Sequence, residues 1–221
     1  MKNIQKEHFE AEYVENSAVN PCHLHDTVFL LLKDSSFPVD CRVLDIGAGR
    51  GALLDRIPPD CKKVAVDISE TAARQLSARG IEASCIDLDT EPLPCDPDSF
   101  DYIFCLEVIE HLNRPAETLR EIHRTLKPSG RFIVSVPNIY QLLTPLLYLA
   151  DIPPVNSARY GHVHVNDFTV RVLKKALREN GFNVLRIAGD EIFPLKDPVS
   201  RWIARKVPRM AHHLIAICEK A

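Results

Sequence analysis

The run Val43-Leu44-Asp45-Ile46-Gly47-Ala48-Gly49-Arg50-Gly51 constrains the fold more than any other stretch of this chain. A strand candidate over residues 41–46 stops at three glycines spaced two apart, and a helix is expected from Ala52. Glycine at such a turn lets the backbone bend sharply and lets a ligand approach where a Cβ would stand. A helix start behind it would offer free N–H groups to an anionic ligand group. The turn predicts an open α/β sheet with its ligand at the carboxyl ends of the strands.

The remaining sequence repeats the alternation. Further strand candidates cover residues 63–67, 82–86, 101–106, 131–136, 182–187 and 213–218. Most are apolar at nearly every position, the pattern of strands covered on both faces. Helices are expected over 24–32, over 69–76 with Ser69 as N-cap, over 115–126 and over 169–180. Leu119, Ile122 and Leu126 share one stripe of the third, and Val172, Leu173, Ala176 and Leu177 face inward from the fourth. Alternating βαβ units give a Rossmann-like, doubly wound, seven-stranded, mostly parallel sheet with helices on both faces. The connection 189–209 carries Pro194, Pro198 and Pro208, which fits an antiparallel last strand better than another parallel crossover.

Composition narrows the partners. The net charge of −3 provides no basic face for nucleic acid. Seven cysteines at 22, 41, 61, 85, 95, 105 and 218 form no CxxC pair, as expected in a reducing compartment without structural zinc. Residues 1–12 lack an apolar signal core, and the apolar stretch 139–155 is broken by Pro145, Asp151, Pro153 and Pro154. A cytoplasmic protein without a membrane span is expected.

The glycine turn alone leaves two ligands open. Gly47, Gly49 and Ala52 satisfy a loose dinucleotide fingerprint, with Asp67 twenty positions after Gly47 as a ribose acid, so an NAD-dependent oxidoreductase is one reading. Against it, Asp45 stands two positions before the glycines and suits a cationic amino group better than a pyrophosphate. A further acid, Asp87, ends the third strand.

Asp45-x-Gly47-x-Gly49-x-Gly51, followed by Asp67 and Asp87, resembles the class I S-adenosylmethionine-dependent methyltransferases over roughly residues 41–136. The resemblance implies that Gly47, Ala48, Gly49 and Gly51 hold the methionyl part of S-adenosylmethionine and Asp45 its ammonium end. Asp67 with Ile68 would take the ribose, and Asp87 with Leu88 the adenine. Residues 92–103 and Cys105-Leu106-Glu107-Val108-Ile109-Glu110-His111-Leu112 are similar to the subgroup that includes ubiquinone-pathway O-methyltransferases. That similarity implies Leu106 and Glu107 beside the cofactor and His111 beside the acceptor.

On these grounds the chain is expected to be a single domain, 1–221. Residues 1–40 form a helical leader over the cofactor side, and Tyr13 lies in it. Residues 41–136 form the cofactor core, 137–166 an acceptor lid, and 167–221 a C-terminal helix and strand pair. The expected reaction is methyl transfer to a small or lipid-like acceptor, at a hydroxyl oxygen. A non-catalytic methyltransferase-like binding module is the alternative outside enzymology, and a monomer or homodimer the expected state.

Catalysis is assigned to His111 or His162 as base, with Glu107 beside them. If a helical turn starts at Glu107, then Glu107, Glu110 and His111 share a face, and His164 could complete a divalent-cation site. Metal-using relatives carry such residues. Solvation of Glu110 is the plainer account, so metal-free catalysis is the adopted reading. The downstream signature of the RNA-methylating relatives is replaced by Val165-Asn166-Asp167-Phe168. His212 and His213 are expected simply to start the last strand, His23 and His25 to lie at the surface, and Cys105 to be core.

Overall fold

Seven strands form one sheet: β1 (Arg42–Ile46), β2 (Lys62–Asp67), β3 (Glu82–Cys85), β4 (Phe100–Leu106), β5 (Leu126–Pro137), β6 (Phe182–Gly189) and β7 (His213–Lys220). Their order is β3-β2-β1-β4-β5-β7-β6. β1 to β5 pair in parallel, and β7 inserts antiparallel between β5 and β6. The computed structural model describes residues 6–7, 9–10, 23–33, 37–140, 144, 164–192 and 198–221. His162, Tyr13 and most of the expected lid lie outside them.

Alternation along the strands explains the layers. Leu44, Ile46, Val64, Val66, Ile103, Cys105, Phe132 and Val134 point to one face. There they meet Leu119 and Ile122 of α3 (Pro115–Thr125) and Leu173 and Leu177 of α4 (Val170–Glu179). Val43, Ala65, Tyr102, Phe104, Ile133, Ile215 and Ile217 point to the other. They pack on Leu24, Val28 and Leu31 of α1 (His23–Leu31) and on Leu76 of α2 (Glu70–Ala78). Both faces are covered, so the central strands carry almost no polar residues.

The helix ends follow local chemistry. Ser69 Oγ accepts a hydrogen bond from Ala72 N at 3.1 Å and caps α2. Thr169 Oγ1 does the same for α4 through Val172 N at 3.3 Å. α3 starts on Pro115, whose missing N–H costs nothing at a first helical position. A short α5 (Pro198–Lys206) lies between β6 and β7 and packs Ala204 against Ile192 and Ala211.

Two expected helical pieces are absent. The α-helix expected from Ala52 is one 3-10 turn, Leu54–Arg56. Pro58 and Pro59 follow too soon for a longer helix, because the residue before a proline is pushed out of helical backbone. Residues 107–111 form a bend and a turn instead of the start of a helix. Among the described residues, no helix is long and apolar enough to cross a membrane. Cys41, Cys61, Cys85, Cys95, Cys105 and Cys218 are all free thiols.

Phe132 is fully buried and its ring lies 4.9 Å from that of Phe182, joining β5 to β6. Phe132→Ala is expected to cost about 3–5 kcal/mol of unfolding free energy. A urea titration with an unchanged midpoint would contradict this account of the core.

Candidate functional site

The carboxyl ends of β1 to β4 open into one cleft, lined by Gly47, Val66, Asp67, Ile68, Ile86, Asp87, Leu88, Glu107, Val108, His111 and Leu112, with Phe9 closing over it. Gly47 has φ +72, and a Cβ there would stand 2.4 Å from Val108 Cγ2. Any larger residue would therefore meet both backbone strain and a wall of the cleft. Five residues assigned to the cofactor from sequence line this space: Gly47, Asp67, Ile68, Asp87 and Leu88. Asp45, Ala48, Gly49, Gly51 and Leu106 are not among the residues that line it.

The acids differ in environment. Asp67 accepts from Gly49 N and from Ser69 N, each at 2.8 Å, so the glycine turn is tied to the end of β2. Burial raises its pKa, and those two N–H groups oppose the rise. Asp45 is buried with no hydrogen bond to its carboxylate among the described residues. Burial first, and the charge of Asp67 second, push it up to about 8. Asp87 is half-buried at the far wall, and its Oδ1 accepts from Asp89 N at 3.0 Å.

Phe9 was not legible as a site residue. Its ring meets His111 edge-on at 5.3 Å. The neighbouring Glu10 accepts hydrogen bonds from the Ser69 hydroxyl and from Thr71 N and Oγ1, both of the latter at 3.2 Å. The described part of the leader is thus fastened to the start of α2.

At the β4 side of the cleft, the exit of that strand divides its acids. Glu107 has φ +55, a left-handed conformation that a non-glycine residue adopts at a cost of about 1–3 kcal/mol. Its N–H donates to Ser135 O at 3.2 Å and to Ser135 Oγ at 3.1 Å, while Ser135 Oγ donates to Glu107 Oε1 at 2.7 Å. The other oxygen, Oε2, lies 3.5 Å from His213 Nε2. His213, expected only to start a strand, is therefore part of the site.

Glu110 turns the other way and is 1% exposed, which overturns the solvated reading. Both its oxygens are buried without a hydrogen-bond partner. Burial, and then the charge of Glu107, raises its pKa well above the usual carboxylate range. Its backbone carbonyl accepts from Val165 N at 2.8 Å and Asn166 N at 3.0 Å. Asn166 Nδ2 donates to Leu112 O at 2.6 Å, so the segment carrying His164 is pinned to this turn. As a result, one donor atom each of Glu110, His111 and His164 lie within 4.8 Å of one another. Glu107 is not in that group.

A family model described as a methyltransferase domain matches residues 13–187. The chain belongs to this methyltransferase family. Among its relatives is "Arginine-hydroxylase NDUFAF5, mitochondrial" of Danio rerio, 30% identical over 165 residues, covering 71% of this chain and 49% of the relative. Another is "Malonyl-[acyl-carrier protein] O-methyltransferase" of Methylococcus capsulatus, 32% identical over 157 residues, covering 68% and 54%. The chain spans about half the length of these curated relatives. A SAM-dependent methyltransferase from Archaeoglobus fulgidus shares the fold with a TM-score of 0.63 at 19% identity, over 97% of this chain and 99% of that one. S-adenosylmethionine is the cofactor of this methyltransferase family, and the cleft fits it in kind. Gly47 leaves room for close backbone approach, and two carboxylates face the space where a nucleoside would hydrogen-bond.

Asp45 sets a pH dependence. Folding holds a proton on it that the unfolded chain gives up near pH 4, so its contribution to stability falls as pH rises towards about 8. Thermal unfolding of Asp45→Asn should show a shallower decline over that window than the parent chain. Parallel curves would refute the assignment.

Proposed function

We propose that this methyltransferase moves a methyl group from S-adenosylmethionine to a hydroxyl oxygen of a small or lipid-like acceptor, with His111 as the base. The observation that carries the reading is one cleft holding the glycine turn, Asp67 and Asp87 at one end and Glu107 and His111 at the other. S-adenosylmethionine supplies a methyl group already activated by its sulfonium. Asp67 and Asp87 would accept hydrogen bonds from the nucleoside, and Asp45 would face its ammonium group. The protein's remaining task is alignment and exclusion of water. Phe9 closes the cleft, and Val108 and Leu112 give it apolar walls.

A hydroxyl acceptor must lose its proton, and an imidazole is suited to take it. The His111 side chain is 15% exposed, lines the cleft, and has Nε2 3.8 Å from Glu110 Oε1. His162, the other base named from sequence, lies outside the described residues. Calorimetry should show binding of S-adenosylmethionine and none of NAD. Asp67→Ala should weaken that binding, while His111→Ala should leave it nearly intact and lower methyl transfer about 10²–10⁴-fold. NAD binding alone would overturn the proposal.

A second reading rests on the orphaned carboxylate of Glu110. One carboxylate and two imidazoles form a donor set suited to a divalent transition metal, and the same set serves non-haem iron oxygenases. The name of the Danio rerio relative gives that set a second chemistry to consider beside methyl transfer. Here Glu110, His111 and His164 would hold the ion, which would acidify a bound hydroxyl or carry redox chemistry. Cobalt(II) added to the purified protein should develop visible ligand-field bands that Glu110→Gln abolishes. Featureless spectra would leave the metal-free reading standing.

A further inference from the structure

Past the end of β5 lies a groove of about 700 Å³ lined by Asn138, Tyr140, Thr169, Val170, Arg171, Lys174 and Arg209. Its walls come from three separate parts of the chain, and one side chain fastens them. Asn138 is 1% exposed; its Nδ2 donates to Tyr140 O at 3.1 Å, Arg209 O at 3.2 Å and Ala211 O at 2.8 Å. Its Oδ1 accepts from Tyr140 N at 3.1 Å. Asn138 N and Ile139 N donate to His212 O and Phe168 O, at 2.8 and 3.0 Å. The groove is therefore built on buried, satisfied backbone.

Its charge is one-sided. Arg171 and Lys174 are three apart on α4 and project from the same side of the helix. Arg209 faces them from the turn before β7. None of the three has an acidic partner among the described residues, whereas Lys175 on the same helix reaches Glu179 at 3.7 Å. Among the described residues, no acid lines the groove. Thr169 and Val170 bring the start of α4 to it, where the helix dipole adds a further positive end. Three cations gathered without a counter-charge repel one another, and an anion relieves that repulsion. Arginine does so by paired hydrogen bonds that match phosphate oxygens.

We infer that this groove is a subsite for a phosphate group carried by the acceptor. The part about the acceptor rests on the methyl-transfer reading; the anion site does not. The spacing suits both. β5 lies beside β4, and neighbouring strands are about 5 Å apart. Glu107 follows β4 and Asn138 follows β5, so the two leave the sheet from adjacent strands, and an acceptor extended along that edge would meet both. A soluble phosphate ester and a lipid phosphate headgroup present the same chemistry here.

The test uses the full chain with two probes, inorganic pyrophosphate followed by calorimetry, and phosphatidylcholine vesicles with and without phosphatidic acid followed by sedimentation. Phosphate-dependent binding to at least one probe is expected, weakening as salt is added. The double variant Arg171→Glu, Lys174→Glu should lose at least about tenfold in affinity, and Arg171→Lys, which keeps the charge but not the paired hydrogen bonds, should lose less than the double variant. Both substituted positions lie on the surface of α4, so circular dichroism should match the parent chain. Binding of pyrophosphate points to a soluble source, and binding of acidic vesicles alone to a lipid. Binding of neither probe, or equal binding by the double variant, overturns the subsite. S-adenosylmethionine titrated alongside separates the two claims. If it fails to bind while pyrophosphate binds and the double variant loses it, the cofactor reading falls and the anion site stands.

Discussion

The left-handed turn at Glu107 is the constraint from which the working edge of this protein is organised. β4 is the central strand, and its exit must send successive side chains to different compartments within a few residues. Ser135 on the neighbouring strand holds the Glu107 backbone and carboxylate together, which stabilises a conformation that would otherwise be costly. With Glu107 turned towards β5 and β7, Val108 is left against Gly47, and Glu110 and His111 fall on the opposite side. A helix beginning at Glu107 would have placed all three ionisable groups on one face. The bend instead yields two clusters: Glu107 with Ser135 and His213, and Glu110 with His111 and His164.

Legibility in the sequence followed the range of the interactions. The strands could be read because burial on both faces leaves a run of apolar residues, and the antiparallel last strand because prolines crowd the segment before it. The glycine turn could be read because positive φ at Gly47, Gly49 and Gly51 leaves few residue types able to stand there. The short helix after it was misread, since a local propensity for helix was overruled by Pro58 and Pro59. His213 and Ser135 could not be found from spacing, because they meet Glu107 only when β7 pairs with β5 beside β4. Glu110 was misjudged for a related reason: its burial depends on residues 164–166 folding back onto its carbonyl, a contact more than fifty positions away.

Charge shows the same limit of averages. A net of −3 reads as a mildly acidic protein, yet the described surface separates the signs. Asp67 and Asp87 line the cleft, and Arg171, Lys174 and Arg209 line the groove beyond β5. Electrostatic focusing depends on such local asymmetry, and the total charge does not report it.

The acids of the cleft are held in a state that an occupant would relieve. The charge of Asp67 disfavours ionisation of Asp45, and burial raises the pKa of both. Ionising both is costly, so Asp45 retains its proton until about pH 8. A ligand with a positive charge near Asp45 and hydroxyl donors near Asp67 would remove both penalties together. Below that pH, its binding would expel a proton, so its affinity would rise as pH rises towards 8 and level off above it. A cation beside Asp45 would therefore be favoured over an uncharged group of the same size, because only the cation offsets the cost of ionising that buried acid.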